Sequence, residues 1–174
     1  MTTYTIKAIK TFHGHDGYGW ECKLYADKKC VAVVVEDGYG GGLQFNWADH
    51  SEPRVKSKGV GWKDAPMVFK DTPAESALRA FCLTLPKWEC NDTFVYTSRD
   101  IFVSDLVNKA LYLKDVKKLL KKVAVLTNGN IYTYNCPPTH PTVRDQIAKK
   151  YPNAIILNDI SLADAVAAYT DNAQ

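Results

Sequence analysis

The tetrapeptide Asp-Gly-Tyr-Gly occurs twice near the start of this chain, at residues 16–19 and 37–40. Each copy joins two segments that alternate polar and apolar residues, which is the pattern of a β-strand with one buried face. Glycine adopts positive φ readily and aspartate bonds to nearby backbone, so both favour tight turns. If the strands run up and down, the first and third connections lie at one end of the sheet. Both tetrapeptides are therefore predicted to share one rim.

Four strands are predicted before the first helix, at 4–12, 19–26, 30–35 and 43–47. Their short connections favour an antiparallel meander. The run Thr72-Pro73-Ala74-Glu75 predicts a helix start, because it places a hydroxyl at the N-cap, proline at the first helical position and glutamate two residues later. Pro86 is expected to stop this helix, which should lie across one face of the sheet.

The second half of the chain predicts a mixture of helices and short strands. The expected elements are a strand at 93–97, a helix from Asp100 that breaks near Leu113, a short helix at 114–121, a hairpin of 123–126 and 130–134 around Asn128-Gly129, a helix at 142–151 capped by Thr142, a strand at 154–157 and a last helix capped by Ser161. The predicted fold class is α+β, with an N-terminal four-stranded antiparallel meander packed by a helix, followed by a helix-rich α/β half with a β-hairpin. Domains of 1–92 and 93–174 are predicted, with one continuous domain left open.

The bulk composition is typical of a soluble cytoplasmic protein. The hydrophobic fraction of 46% and the charged fraction of 24% are ordinary for a globular chain. No apolar run approaches the roughly 18–20 residues that span a bilayer, and the first residues lack the apolar core of a signal peptide, so no membrane association is expected. Five cysteines without a Cys-x-x-Cys pair predict free thiols.

The predicted rim is the leading candidate for a binding site. Its polar and aromatic side chains are those of His13, His15, Asp16, Tyr18, Asp37 and Tyr39. They are expected to contact a ligand or a partner, or in the simpler interpretation to serve the turns and cover the end of the sheet. Imidazole and carboxylate groups also bind zinc, so a small metal-dependent hydrolase at His13, His15, Asp16 and Asp37 is a third hypothesis. The leading interpretation includes no metal and no other cofactor.

Two lysine-bearing segments support an alternative function. Lysines recur at helical spacing from Lys114 to Lys122, and the four expected to bind nucleic acid are Lys114, Lys117, Lys118 and Lys121. Such a row binds phosphate groups, or it forms the solvated side of an amphipathic helix. The arm at 56–63 places Trp62 between Lys58 and Lys63, where its ring would stack on a base, anchor a protein interface or fold back onto the sheet.

Catalytic signatures are weak in this sequence. It contains no Gly-x-Ser-x-Gly elbow, and no cysteine stands in a local catalytic motif. The glycine run at 40–42 precedes a predicted strand, whereas a phosphate-cradling loop precedes a helix. Arg99 and Arg144 are isolated and point to no site. The protein is therefore expected to be non-enzymatic.

Segments at both ends resemble small uncharacterised proteins of phages and bacterial genomes. The likeness rests on residues 6–12, the glycine turn, Leu24-Tyr25-Ala26-Asp27, Gly40-Gly41, Phe45-x-Trp47 and the ending at 158–165. These are structural turns and caps, so the resemblance carries over no activity. It implies a phage-encoded inhibitor that binds a host defence or regulatory factor, which is the leading hypothesis. The alternative is a nucleic-acid-binding protein that uses the lysine row and the arm.

Overall fold

The computed structural model describes residues 2–14, 17–49, 71–90 and 93–172. The predictions for His15, Asp16 and the arm with Lys58, Trp62 and Lys63 lie outside these residues. The chain divides into two compact units, Met1–Val107 and Asn108–Gln174. This division falls within a helix, and the domain limits predicted at 1–92 and 93–174 stay a prediction.

The N-terminal unit contains the predicted antiparallel meander. Its strands are β1 (Tyr4–His13), β2 (Tyr18–Ala26), β3 (Lys29–Glu36) and β4 (Gln44–Trp47), in the order β1-β2-β3-β4 with every pair antiparallel. Cys22 and Leu24 of β2 and Val34 of β3 are fully buried, so one face of the sheet carries the core. The fold class is confirmed as α+β.

The edge strand β1 contains a β-bulge. Its register against β2 shifts between Lys7 and Lys10, and Ala8 has a φ of 54°. A bulge bends and twists a strand, and the exposed lysines on either side of it add charge to the open edge. Both features hinder edge-to-edge pairing with another chain at this part of β1.

Helix α1 (Pro73–Leu83) begins at the predicted cap but does not form the full capping box. The Oγ1 of Thr72 accepts a hydrogen bond from the Glu75 N–H at 3.2 Å. The Glu75 carboxylate, however, pairs with Arg79 and Arg99. A second acceptor comes from Asp49, whose Oδ2 lies 2.8 Å from the Ala74 nitrogen. Two side chains therefore satisfy backbone donors of the first turn.

A cluster of three aromatic rings joins the sheet to its helices. The ring of Tyr4 on β1 lies 4.9 Å from that of Phe81 on α1 and 6.1 Å from that of Phe102, and the two phenylalanine rings lie 5.3 Å apart. Tilted and edge-on arrangements at these separations are favourable. The cluster holds α1 against the sheet, as the sequence predicts.

Between the helices, β5 (Trp88–Cys90) and β6 (Thr93–Val95) form a two-stranded antiparallel hairpin. Helix α2 (Arg99–Leu119) then continues without interruption, so the predicted break near Leu113 is wrong. Val103 and Val107 are buried one turn apart, whereas the next buried valine, Val116, is about half a turn out of phase with them. The apolar stripe changes face along one helix, and neither glycine nor proline interrupts it.

The C-terminal unit is a small sheet covered on both faces. Its elements are β7 (Val123–Thr127), β8 (Asn130–Tyr134), α3 (Pro141–Lys150), β9 (Ile155–Ile156), a 3-10 helix (Leu157–Asp159) and α4 (Leu162–Asn172), with the antiparallel strand order β8-β7-β9. Val123 and Val125 pack with Ile147 of α3, while Ala124 packs with Leu157 and other residues of the opposite layer. The central strand is therefore buried on both sides.

Turn and cap chemistry explains the connections of this unit. Asn128 and Gly129 both have positive φ, at 50° and 70°, which confirms the predicted tight hairpin. Ser161 caps α4 as predicted, with its Oγ 3.1 Å from the Asp164 nitrogen. The predicted Thr142 cap of α3 is wrong. His140 is the cap, because Pro141 occupies the first helical position, and its Nδ1 accepts from the Val143 N–H at 3.4 Å.

Candidate functional site

The β1–β2 and β3–β4 connections touch each other at one end of the meander. A Cβ atom on Gly14 would lie 2.6 Å from the carbonyl oxygen of Asp37 and 2.9 Å from the Cα of Gly38. Gly38 itself has a φ of +74°, and a Cβ there would lie 3.2 Å from the carbonyl oxygen of Gly17. Backbones can approach this closely only where side chains are absent. The predicted common end of the two turns is confirmed, and we call this region, residues 12–14, 17–19 and 36–41, the paired-turn rim.

Two tyrosines of the paired-turn rim are largely exposed. Tyr18 is 73% exposed and Tyr39 is 63% exposed. Tyr18 is the register partner of His13 in the last pair between β1 and β2, and the two rings lie 4.5 Å apart. Strand pairing therefore places the imidazole of His13 against one side of the Tyr18 ring.

The side chain of Asp37 organises the turn that carries Tyr39. Its Oδ1 accepts a hydrogen bond from the Tyr39 N–H at 2.9 Å, and its Oδ2 accepts one from Nε2 of Gln44 at 2.9 Å. The neighbouring carboxylate of Glu36 accepts from the Gly38 N–H at 3.3 Å. Both acidic side chains thus fix local backbone, and Asp37 positions Tyr39 through the main chain.

An aromatic residue that the sequence interpretation did not include also belongs to the paired-turn rim. Phe12 is the register partner of Gly19, and a Cβ on Gly19 would lie 2.7 Å from Cζ of Phe12. The phenyl ring covers the glycine backbone and remains 40% exposed. The available signal was Gly19 within the predicted second strand, because a bulky ring opposite a strand glycine commonly covers it.

The metal hypothesis has incomplete support in the described part of the rim. Among residues 2–14, 17–49, 71–90 and 93–172, no group of three or more histidine, cysteine, aspartate or glutamate side chains is placed to hold a metal ion. Both carboxylate oxygens of Asp37 already accept hydrogen bonds. A metal-dependent hydrolase would need His15 and Asp16 as well, so that hypothesis stays a prediction.

The lysine row is only partly helical. Lys114, Lys117 and Lys118 are exposed on the last turns of α2, whereas Lys121 is exposed in the turn that follows the helix end at Leu119. Lysines in a last turn also interact favourably with the helix dipole, which is a structural reason for their presence. Nucleic-acid binding by this row stays a prediction.

Arg99, which the sequence left without a role, lies at the centre of a polar network in the N-terminal unit. Its guanidinium pairs with Glu75 of α1, and its Nε lies 3.3 Å from Oδ1 of Asp100. The same group lies 4.7 Å from the ring centroid of Phe45 on β4. These contacts join α1, α2 and the sheet. No local pattern marks them, because the partners are far apart in the chain.

A cleft of about 460 Å³ lies beside this network. It is lined by Arg79, Cys82, Leu83, Tyr96, Thr97, Ser98, Arg99 and Asp100. Leu83 and Tyr96 are exposed, and the Lys87 ammonium lies 4.5 Å from the ring centroid of Tyr96. Burial raises the pKa of the Cys82 thiol, which disfavours the nucleophilic thiolate.

Three other titratable groups with shifted pKa values have structural roles. Burial raises the pKa of Cys22 to about 11, as expected for a core thiol. Burial, followed by the proximity of Cys82 and Asp27, raises the pKa of the Tyr4 hydroxyl. The hydrogen bond to Asp159 raises the pKa of Arg144, which also donates to the carbonyl oxygen of Pro138 at 3.2 Å. Arg144 therefore tethers α3 to the segment after β9.

None of the helices in the described ranges is long and apolar enough to cross a bilayer. No protein family, characterised protein or solved structure matches this chain in sequence or in fold.

Proposed function

We propose that this protein is a non-enzymatic binding protein that captures a partner protein through the paired-turn rim. The observation that carries the proposal is the exposure of Tyr18 and Tyr39 on two turns whose backbones are in contact. Exposed tyrosines are common centres of binding energy, because each ring offers a large apolar face with a polar end.

Preorganisation supports this assignment. Asp37 fixes the backbone of Tyr39, and His13 lies against Tyr18, so part of each tyrosine's environment is set before a partner arrives. A tyrosine has only two side-chain torsions, so its immobilisation costs less entropy than that of a long flexible side chain. A preorganised aromatic surface of this kind favours binding of a partner over catalysis.

The resemblance to small phage proteins indicates the class of partner that we propose. In that setting the partner is a host defence or regulatory factor, and the rim blocks it by occupying its surface. A small accessory protein acts in this way without a catalytic centre of its own.

A comparison of matched tyrosine variants tests the proposed function. The wild-type protein and the double variant Tyr18→Ala/Tyr39→Ala are immobilised, proteins retained from a bacterial lysate are identified by mass spectrometry, and the enriched protein is purified for affinity measurement. We expect the double variant to bind it at least tenfold more weakly, which corresponds to about 1.4 kcal/mol.

Tyr132→Ala is the matched control, because Tyr132 is an exposed tyrosine on β8 in the other unit, with 52% of its surface accessible. This variant should bind as the wild type does. Equal affinity of the wild type and the double variant for every retained protein would reject the paired-turn rim as the binding surface.

Nucleic-acid binding is the second candidate, favoured by the exposure of all four lysines of the row, Lys114, Lys117, Lys118 and Lys121. If each neutralises one phosphate of duplex DNA, the logarithm of the binding constant should fall with the logarithm of salt concentration with a slope of roughly −3.6. A duplex probe titrated at several salt concentrations measures this slope. A salt-independent signal, or no binding at low salt, would reject the candidate.

A further inference from the structure

We propose that the paired-turn rim recognises a positively charged segment, in which arginine or lysine side chains of a partner protein stack on Tyr18 and Tyr39 beside the carboxylates of Glu36 and Asp37. This inference rests on the proposed function and names the chemistry of its partner.

The charge of the paired-turn rim is the first argument. Among the described residues, Glu36 and Asp37 accept hydrogen bonds from neutral donors, which are the backbone N–H groups of Gly38 and Tyr39 and the side-chain amide of Gln44. Within the described residues, neither carboxylate forms an ion pair with a cation. Their negative charge is therefore retained at the surface and available to a positively charged partner.

Two described cations of this unit, Lys10 and Arg99, are in contrast already paired with acidic side chains. Lys10 on β1 lies 3.3 Å from Oε1 of Glu21 across the strand pair. Arg99 pairs with Glu75 and Asp100, and Asp100 lies close to the β3–β4 connection at Gly42. The balance among the described charges at this end of the meander is negative, which complements a cationic partner and repels phosphate groups.

The arrangement of rings and carboxylates is the second argument. A cation is attracted to the face of an aromatic ring when it lies within about 6 Å of the centroid. Asp37 is bonded to the backbone of Tyr39 itself, so a carboxylate lies next to the base of an exposed ring. An arginine suits this combination because its planar guanidinium can stack on the ring while its N–H groups donate to the carboxylate.

Open space above the turn backbones is the third argument. A Cβ atom built on Gly17, Gly40 or Gly41 would meet nothing within 4 Å. Among the described residues, no side chain therefore covers the Cβ side of these three glycines, which flank Tyr18 and Tyr39 in the chain. This leaves room for the main chain of an extended segment whose side chains reach the rings.

A displayed library of random 16-residue peptides tests the inference. Peptides are selected on the immobilised wild-type protein and counter-selected on Tyr18→Ala/Tyr39→Ala, so that only ligands dependent on the tyrosines remain. We expect these peptides to be enriched in arginine and lysine relative to the starting library, and the affinity of a synthetic representative to fall as salt is raised from 50 to 500 mM.

Variants that each remove one charge test how much electrostatic attraction contributes to peptide affinity. Asp37→Asn keeps an amide oxygen for the Tyr39 N–H, and rotation of the Gln44 amide presents its oxygen to the new Nδ2. Glu36→Gln keeps an amide oxygen for the Gly38 N–H, so both variants should preserve the turn. Each variant should bind the representative peptide roughly two- to fivefold more weakly, as expected for loss of one surface charge contact. Asp145→Asn, on the exposed surface of α3, is the matched control and should leave the affinity unchanged.

The outcomes distinguish this inference from the function on which it rests. Tyrosine-dependent peptides without an excess of positive charge, such as proline-rich ones, would overturn the basic-segment inference and leave the binding function standing. The absence of any tyrosine-dependent peptide would count against both. Peptides rich in basic residues whose affinity is unaffected by Asp37→Asn and Glu36→Gln would overturn the assignment of the two carboxylates.

Discussion

Gly14 and Gly38 are in backbone contact, with a Cβ on Gly14 only 2.9 Å from the Cα of Gly38. This contact brings the connection before β2 against the connection after β3, and it carries the exposed Tyr18 and Tyr39 on the same end of the sheet. The paired-turn rim therefore depends on Gly14, where a side chain would force the turns apart, and on Gly38, where a φ of +74° favours glycine.

Substitution of these glycines should destabilise the protein and separate the turns. For Gly14→Ala, we expect a loss of about 1–3 kcal/mol in the free energy of unfolding, because the added methyl group meets backbone atoms that have to shift. For Gly38→Ala, the positive φ should lower the free energy of unfolding by roughly 1–2 kcal/mol. The contact of the added methyl group is milder than at Gly14, because its nearest atom lies at 3.1 Å. Urea unfolding followed by circular dichroism measures both changes.

Gly41→Ala provides the control for these variants. A Cβ at Gly41 meets nothing within 4 Å, and its φ lies outside the positive range, so the change should stay within about 0.5 kcal/mol. Equal stability of Gly14→Ala and Gly41→Ala would contradict the close contact of the two turns.

Asp49 should make stability depend on pH in the acid range. Burial acts to raise its pKa, but hydrogen bonds from the Ala74 N–H and the Thr72 hydroxyl outweigh it, and the pKa lies below the ordinary 3.8. The unfolded chain therefore takes up a proton first as the pH falls. Its contribution to stability is complete above about pH 4 and is lost as the pH falls through the lower folded value.

The variant Asp49→Asn isolates this contribution. Its amide oxygen can still accept from the Ala74 N–H, but it has no charge to lose, so its stability should fall less steeply between pH 5 and pH 3 than that of the wild type. Urea midpoints across this range give the comparison. Parallel pH profiles for the two proteins would show that folding does not lower the pKa of Asp49.

Arg99 should contribute more to stability than Arg79, although both contact Glu75. The Arg99 side chain is 26% exposed and also packs on Phe45, whereas that of Arg79 is 54% exposed. We expect Arg99→Ala to lower the free energy of unfolding by about 1–3 kcal/mol, and Arg79→Ala by less than about 1 kcal/mol. Thermal and urea unfolding of the pair supply the measurement, and a larger loss for Arg79→Ala would contradict the network described here.

Asn158 ties the end of α2 to the sheet of the C-terminal unit. Its Oδ1 accepts from the Ala124 N–H at 2.8 Å, and its Nδ2 donates to the carbonyl oxygens of Leu120 and Lys122 at 3.1 and 3.0 Å. In Asn158→Asp, a carboxylate oxygen would face both carbonyls without a proton to donate. We expect a loss of about 2–3 kcal/mol at neutral pH.

The neighbouring variant Asn153→Asp makes the same chemical change at an exposed position and should alter stability by no more than about 0.5 kcal/mol. Urea unfolding at pH 7 distinguishes the two variants. If they unfold at the same urea concentration, the three hydrogen bonds of Asn158 do not stabilise the unit.

Local patterns predicted most of the secondary structure. The meander follows from period-2 alternation and glycine turns, and the hairpin between β7 and β8 follows from Asn128-Gly129, because both signals depend on residues adjacent in the chain. Helix-cap residues were predicted less completely than the strands and the hairpin. Thr72 and Ser161 were identified, but the position before Pro141 was not, since histidine is an uncommon cap.

The uninterrupted course of α2 could not be predicted from local sequence patterns. A shift in the apolar face predicts a break when each helix is assumed to bury one stripe, and the structure instead has a single helix whose buried face changes between Val107 and Val116. Helix continuity depends on packing along its whole length, which a short sequence window does not contain.

The sequence by itself determined the α+β class and the placement of the two tyrosine-bearing turns at one end of a meander, because strand direction alternates at every short connection. Only the tertiary structure decided that Gly14 touches Gly38, that Asp37 holds the turn of Tyr39, and that Arg99 joins α1 and the start of α2 to β4. Contacts of this kind bring together residues that are distant in the chain. Their energies depend on distances and burial that exist only once the chain is folded.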